Sequence, residues 1–210
     1  MLYPRLTKNG QTVCEDEMVS FREHLAVNNR LLFLTGVITG EVEASGMLMA
    51  MDSLSHDPIK LVITSPGGEL DSTFMLYDTI RLLSAPVYTL GRYCASAAAI
   101  LLAAGKQRYL LPHAKVMLHL PSSYFQKDTI IPLQDMEIHQ REARKYKERM
   151  VELFLECGVK RSKEELLSDV DRDFWLEPEE AIAYGLADKV ITPEVMQEWL
   201  GSSNRTRDFC

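Results

Sequence analysis

The chain has 210 residues, 46% of them hydrophobic, which suits one domain with a sizeable core. Its 23 basic and 30 acidic side chains leave a net charge of −7, which disfavours a nucleic-acid surface. No apolar run approaches the ~20 residues of a membrane span. Residues 1–5 carry no signal-peptide apolar region, and Cys14, Cys94, Cys157 and Cys210 show no paired spacing, so a cytoplasmic protein with free thiols is expected.

Residues 1–13 mix Pro4, Gly10 and polar side chains without a period and read as an arm, followed by a weakly patterned, helix-like stretch at 14–27. The apolar run at 30–36 reads as a strand covered on both faces. Residues 41–54 predict a helix with Met47, Leu48, Met51 and Leu54 on its inner face. Leu61-Val62-Ile63-Thr64 predicts the next strand; Leu76, Ile80 and Leu83 mark a helix after it, ended by Pro86. Val87-Tyr88-Thr89-Leu90 is a further strand, after which the chain is expected to turn at Gly91 and enter an alanine-rich helix capped by Gly105.

Beyond Gly105 the sequence predicts a tight strand pair, 108–111 and 115–119, hinged at Pro112-His113, then a loop or edge hairpin at 122–131. Residues 132–156 form a long charged helix with Met136, Ala143, Met150 and Leu153 as an apolar stripe, able to face its own core or another subunit. A short helix at 163–168, a loop at 171–176, a helix at 178–184 begun by proline and ended by Gly185, a strand at 188–191 and a helix at 193–200 complete the chain. Strands alternating with helices argue for an α/β fold with parallel pairing through right-handed crossovers.

Two stretches invite chemistry. In Ser65-Pro66-Gly67-Gly68 the glycines remove the Cβ atoms that block close backbone approach. Ser96, at the mouth of the alanine helix, sits where free N–H groups favour a developing anion. A serine nucleophile needs a base and the base an orienting carboxylate. His119 ends the apolar run Val116-Met117-Leu118, and Asp173 precedes an aromatic pair. His24 and His56 lie in polar surroundings, His113 in a turn and His139 in the charged helix. Each residue alone has an ordinary structural explanation: serine caps helices, Pro-Gly makes turns, and a lone histidine in an apolar run is more often structural.

Taken in order, Ser65-Pro66-Gly67-Gly68, Ala95-Ser96, Val116-Met117-Leu118-His119, Glu137-Ile138-His139-Gln140-Arg141-Glu142, Asp171-Arg172-Asp173, Pro178-Glu179-Glu180-Ala181 and Tyr184-Gly185-Leu186-Ala187-Asp188 resemble the proteolytic subunit of the ATP-dependent Clp protease, ClpP, over residues 14–192. The resemblance implies a ClpP/crotonase-like α/β fold: an axial arm at 1–13, one protease domain at 14–192 with a handle helix near 132–156, and a terminal helix and tail at 193–210. It implies Ser96 as nucleophile, His119 as base and Asp173 as its orienting acid, with the N–H groups of Gly68 and Ala97 as oxyanion hole. It also implies stacked heptameric rings, a tetradecamer, degrading unfolded polypeptides in protein quality control, with no membrane or nucleic acid involved. No cofactor is implied for this chain. It lacks a phosphate-binding loop, so ATP would be used by a partner AAA+ unfoldase such as ClpX, ClpA or ClpC.

The sequence departs from the family pattern in two places. Arg92 and Ala98 stand where glycines are usual, with Tyr93 in place of glutamine, and the segment from Pro121 to 131 is longer and lacks a Gly-Gly hairpin tip. Three rival readings are a weakly active or inactive paralogue serving as a ring subunit, a crotonase-type enzyme acting on coenzyme A thioesters, and a membrane signal-peptide peptidase.

Overall fold

The computed structural model describes residues 7–8, 11–12, 29–40, 44–121 and 132–200. Most of the predicted arm, the helix-like stretch at 14–27 and the segment at 122–131 lie outside them. Strands β1 (Thr7–Lys8) and β2 (Gln11–Thr12) form a small antiparallel pair. The main sheet runs parallel through β3 (Leu31–Thr35), β4 (Ile59–Ser65), β5 (Val87–Ala95) and β6 (Gln107–Leu118). On the far side of β6, β7 (Phe174–Leu176) pairs antiparallel with its end and β8 (Lys189–Val190) parallel with its first half.

Helices α1 (Ala44–Leu54), α2 (Leu70–Leu82) and α3 (Ala97–Ala103) are the crossovers between successive parallel strands. They are followed by α4 (Leu133–Glu156), α5 (Lys163–Asp169), α6 (Pro178–Tyr184) and α7 (Pro193–Leu200). All seven residues of α3 are buried, because four alanines let it lie close against the sheet. Leu61, Ile63, Leu76, Ile100, Leu101, Val116 and Phe154 join one core with it. Val62, Leu90, Ile191 and Trp199 form a second cluster, packed with Val195 and Met196 of α7. The apolar stripe on α4 divides: Met150 and Leu153 are buried in the main core, whereas Met136 is 53% exposed.

Five expectations are corrected. Strand β3 is covered on one face only, with Leu32 and Leu34 in the core and Phe33 on the open face. Strand β5 does not turn at Gly91 but runs on to Ala95, absorbing Arg92 in a break of register between Gly91 and Tyr93. The 108–119 region is one long strand, not a pair hinged at Pro112-His113; residues 111–114 have no partner on β5, so Pro112 breaks no ladder bond there. Residues 174–176 are strand rather than loop. Leu54 points outward, 70% exposed, because α1 ends on it.

Arg108 ties this end of the fold together, donating to both Asp188 carboxylate oxygens and to the carbonyls of Cys157 and Gly185. Burial alone would raise the Asp188 carboxyl, but the hydrogen bonds from Arg108 hold it below the usual carboxylate range. A depressed folded value stabilises above the unfolded pKa of about 3.9 and is lost as pH falls through the folded one. Asp188→Asn should therefore unfold at lower urea than wild type at pH 7, with the gap closing below about pH 4. Gly46, exposed in α1 with nothing within 4 Å of an added Cβ, offers the opposite case. Gly46→Ala should raise stability by about 0.5 kcal/mol, read as a higher urea midpoint at fixed protein concentration.

Candidate active site

Strand β5 ends at Ala95, and Ser96 makes the turn into α3 with φ 56° and ψ −127°. A side chain at positive φ is strained by roughly 1–3 kcal/mol and persists only where neighbours hold it. Part of that hold is visible: the Ser96 N–H donates to the Met117 carbonyl at 2.8 Å, fixing the turn to the end of β6. Relieving the strain should show. Ser96→Gly is expected to be more stable than Ser96→Ala by about 1 kcal/mol in matched urea titrations, and equal midpoints would mean that the turn stores none.

His119 follows the last residue of β6, and the next N–H, that of Leu120, donates to the Val170 carbonyl. Its Nε2 lies 2.7 Å from Ser96 Oγ, a hydrogen bond in which a neutral imidazole accepts from the hydroxyl. Asp173 arrives through strand register. Leu118 pairs with Phe174 in the antiparallel β6–β7 ladder, so His119 and Asp173 are the next opposed positions. Asp173 Oδ1 stands 3.7 Å from His119 Nδ1, close enough for charge attraction but long for a hydrogen bond. The Asp173 side chain is 63% exposed, that of His119 26%.

The double glycine is wedged against this turn. A Cβ on Gly67 would meet Ser96 Cβ at 2.8 Å and the Ala97 nitrogen at 3.0 Å; one on Gly68 would fall 2.0 Å from the Ile38 carbonyl oxygen. The Gly67 N–H is occupied by buried Ser65 Oγ at 3.0 Å, and the Glu69 N–H by the Ile38 carbonyl at 2.8 Å. Between them, the Gly68 N–H has no acceptor among the described residues, and Ala97 opens α3, where the first N–H groups lack an intrahelical acceptor. Behind Ser96, burial pushes the Cys94 thiol well above its ordinary value and keeps it neutral, so it offers no competing nucleophile.

Sequence reasoning singled out Ser96, His119, Asp173, Gly68 and Ala97, and the fold brings their chain segments together at the carboxyl ends of β4, β5 and β6. It missed the bond by which Ser65 Oγ accepts from the Gly67 N–H, and it missed Ile38, whose bridge to Gly68 spans 30 residues and carries no local signal. It missed the ring contact between Tyr93 and Trp175, whose centroids are 6.2 Å apart, since nothing in the local pattern announces a pairing across β6.

The sequence pattern of the Clp protease family matches residues 15–194. The chain belongs to the Clp protease family. It is similar to ATP-dependent Clp protease proteolytic subunit 2 of Pseudomonas aeruginosa, 36% identical over 174 residues that cover 80% of this chain and 84% of that one. It is 36% identical over 169 residues to proteolytic subunit 3 of Rhizobium meliloti, covering 78% and 84%. Against proteolytic subunit 2 of Chlamydia trachomatis the identity is 35% over 175 residues, covering 79% and 82%. The Clp protease fold is thus the mixed α/β sheet described above, and membership in the Clp protease family implies ring assembly with Clp ATPases as a class. No helix of the described residues is long and apolar enough to cross a membrane.

Proposed function

We propose that the chain is a serine endopeptidase, the proteolytic subunit of an ATP-dependent Clp-type protease, cleaving unfolded polypeptides inside a chamber of stacked rings in the cytoplasm. The observation that carries this reading is the 2.7 Å contact between Ser96 Oγ and His119 Nε2 at a strained turn laid against Gly67 and Gly68. His119 Nε2 takes the hydroxyl proton as Ser96 Oγ attacks the peptide carbonyl. The oxyanion is received by the Gly68 and Ala97 N–H groups, and the imidazolium returns its proton to the leaving amine. Water then repeats the sequence on the acyl ester and frees Ser96. The Asp173 carboxylate favours the Nδ1–H tautomer and the imidazolium, and its 3.7 Å separation shortens in the substrate complex.

The chemistry needs no cofactor from this chain; ATP would be spent by the partner ATPase. That same long, exposed Asp173 contact favours one second reading, a poorly active paralogue that serves as a ring subunit. A fluorophosphonate separates them, because only an activated serine displaces its leaving group. Covalent labelling at Ser96, located by mass spectrometry on an assembly sized by sedimentation, is the expected result; an assembled but unlabelled protein would favour the second reading.

A further inference from the structure

We infer that Tyr93 and Trp175 form a subsite that selects an aromatic or large apolar side chain on the leaving-amine side of the scissile bond. The inference rests on the peptidase reading above and adds a substrate preference to it. It starts from strand alternation. Val116 and Leu176 are opposed in the β6–β7 ladder and both lie in the core, so their neighbours Met117 and Trp175 point to the other face of the sheet. Ala95 is opposed to Met117 in the β5–β6 ladder, and Tyr93, two residues earlier, shares that face. The Tyr93 and Trp175 rings therefore meet diagonally across β6, centroids 6.2 Å apart and planes tilted by 45°.

The next positions on the same face of β6 and β7 are His119 and Asp173, about 7 Å further along at the usual rise per residue. Trp175 thus lies one row of side chains from the proposed base, and Tyr93, level with Lys115, lies two rows away. Trp175 is 47% exposed, so much of its surface is free to take a partner. The far end of the patch is bordered by charge, since the Lys115–Glu177 ion pair stands one row beyond Trp175, level with Tyr93.

Which half of a peptide meets this patch follows from the order of strands. Strand β5 lies between β4 and β6, so the glycine turn that ends β4 approaches Ser96 from one flank and His119 from the other. In the proposed mechanism the carbonyl oxygen faces the Gly68 N–H and the leaving nitrogen faces His119. The amine half of the substrate is then laid over β6 and β7, where the aromatic pair is exposed.

The test uses the full-length assembled protein and internally quenched peptides that differ only in the residue after the scissile bond, phenylalanine or glycine, with the cut mapped by mass spectrometry. Wild type is expected to favour phenylalanine in kcat/KM by roughly tenfold, the scale of one aromatic contact. Trp175→Ala should reduce that ratio to about threefold or less, and Trp175→Phe should keep most of it. Tyr93→Ala, at the other side of the patch, should also lower it. A wild type without the preference, or a ratio undiminished in Trp175→Ala, overturns the inference while leaving the peptidase reading intact. So does a Trp175→Ala protein that no longer sediments like wild type, since that residue would then be structural. Failure of wild type to react with a fluorophosphonate at Ser96 sinks the peptidase reading itself.

Discussion

Ser96→Ala is expected to lower peptide turnover by at least roughly a thousandfold and to abolish fluorophosphonate labelling, while the protein still folds and assembles. The Cβ of alanine keeps the backbone strain at φ 56° unchanged, so what is lost is the oxygen 2.7 Å from His119. His119→Ala should cost about as much, and the double variant little more than either, because nucleophile and base act as one unit. Asp173→Ala should cost less than either, since its carboxylate is exposed and 3.7 Å from the ring. Steady-state kinetics on one peptide substrate decides the matter. Retained labelling of the Ser96→Ala protein, or losses that multiply in the double variant, would place the chemistry elsewhere.

The second large effect concerns Gly68→Ala, where stability and turnover should fall together. The added Cβ would sit 2.0 Å from the Ile38 oxygen and 2.6 Å from its nitrogen, and both are backbone atoms that cannot swing aside. The bridge between Ile38 and Gly68 must open, straining the bonds from the Ile38 N–H to the Gly67 carbonyl and from the Glu69 N–H to the Ile38 carbonyl. A destabilisation of about 2–4 kcal/mol is expected. A shifted Gly68 N–H should also cost roughly a hundredfold to a thousandfold in turnover under conditions where the variant remains folded. Gly36→Ala is the control: at φ 84° with nothing within 4 Å of its Cβ, it should lose about 1–2 kcal/mol through strain and keep its turnover. Full activity in folded Gly68→Ala would remove that N–H from the mechanism.

The parallel β-α order was legible because each strand is a β-branched or apolar run and each helix carries an apolar face. Residues 178–184 were placed to the residue, proline at the start and Gly185 at φ 95° past the end. Glycine misled at position 91. It read as a turn, yet it sits mid-strand because a Cβ there would meet Leu110 at 2.8 Å and Cys94 at 3.0 Å. Pro112 misled in the same way, since a missing N–H costs nothing where the ladder already has a gap. For Ser96 and His119 the sequence offered position at element ends, which is local. Their 2.7 Å contact depends on parallel register across 23 residues of chain, which is not.

Strand β7 is three residues long, held to β6 by the pairs Val116 to Leu176, Met117 to Trp175 and Leu118 to Phe174. Side chains alternate with period two, so a slip of one residue would drive Trp175 inward, expel Leu176 into water and aim the Asp173 carboxylate away from the imidazole. Under the peptidase reading, a copy whose β6–β7 ladder is out of register would present His119 without its carboxylate, so full activity would wait on completed folding.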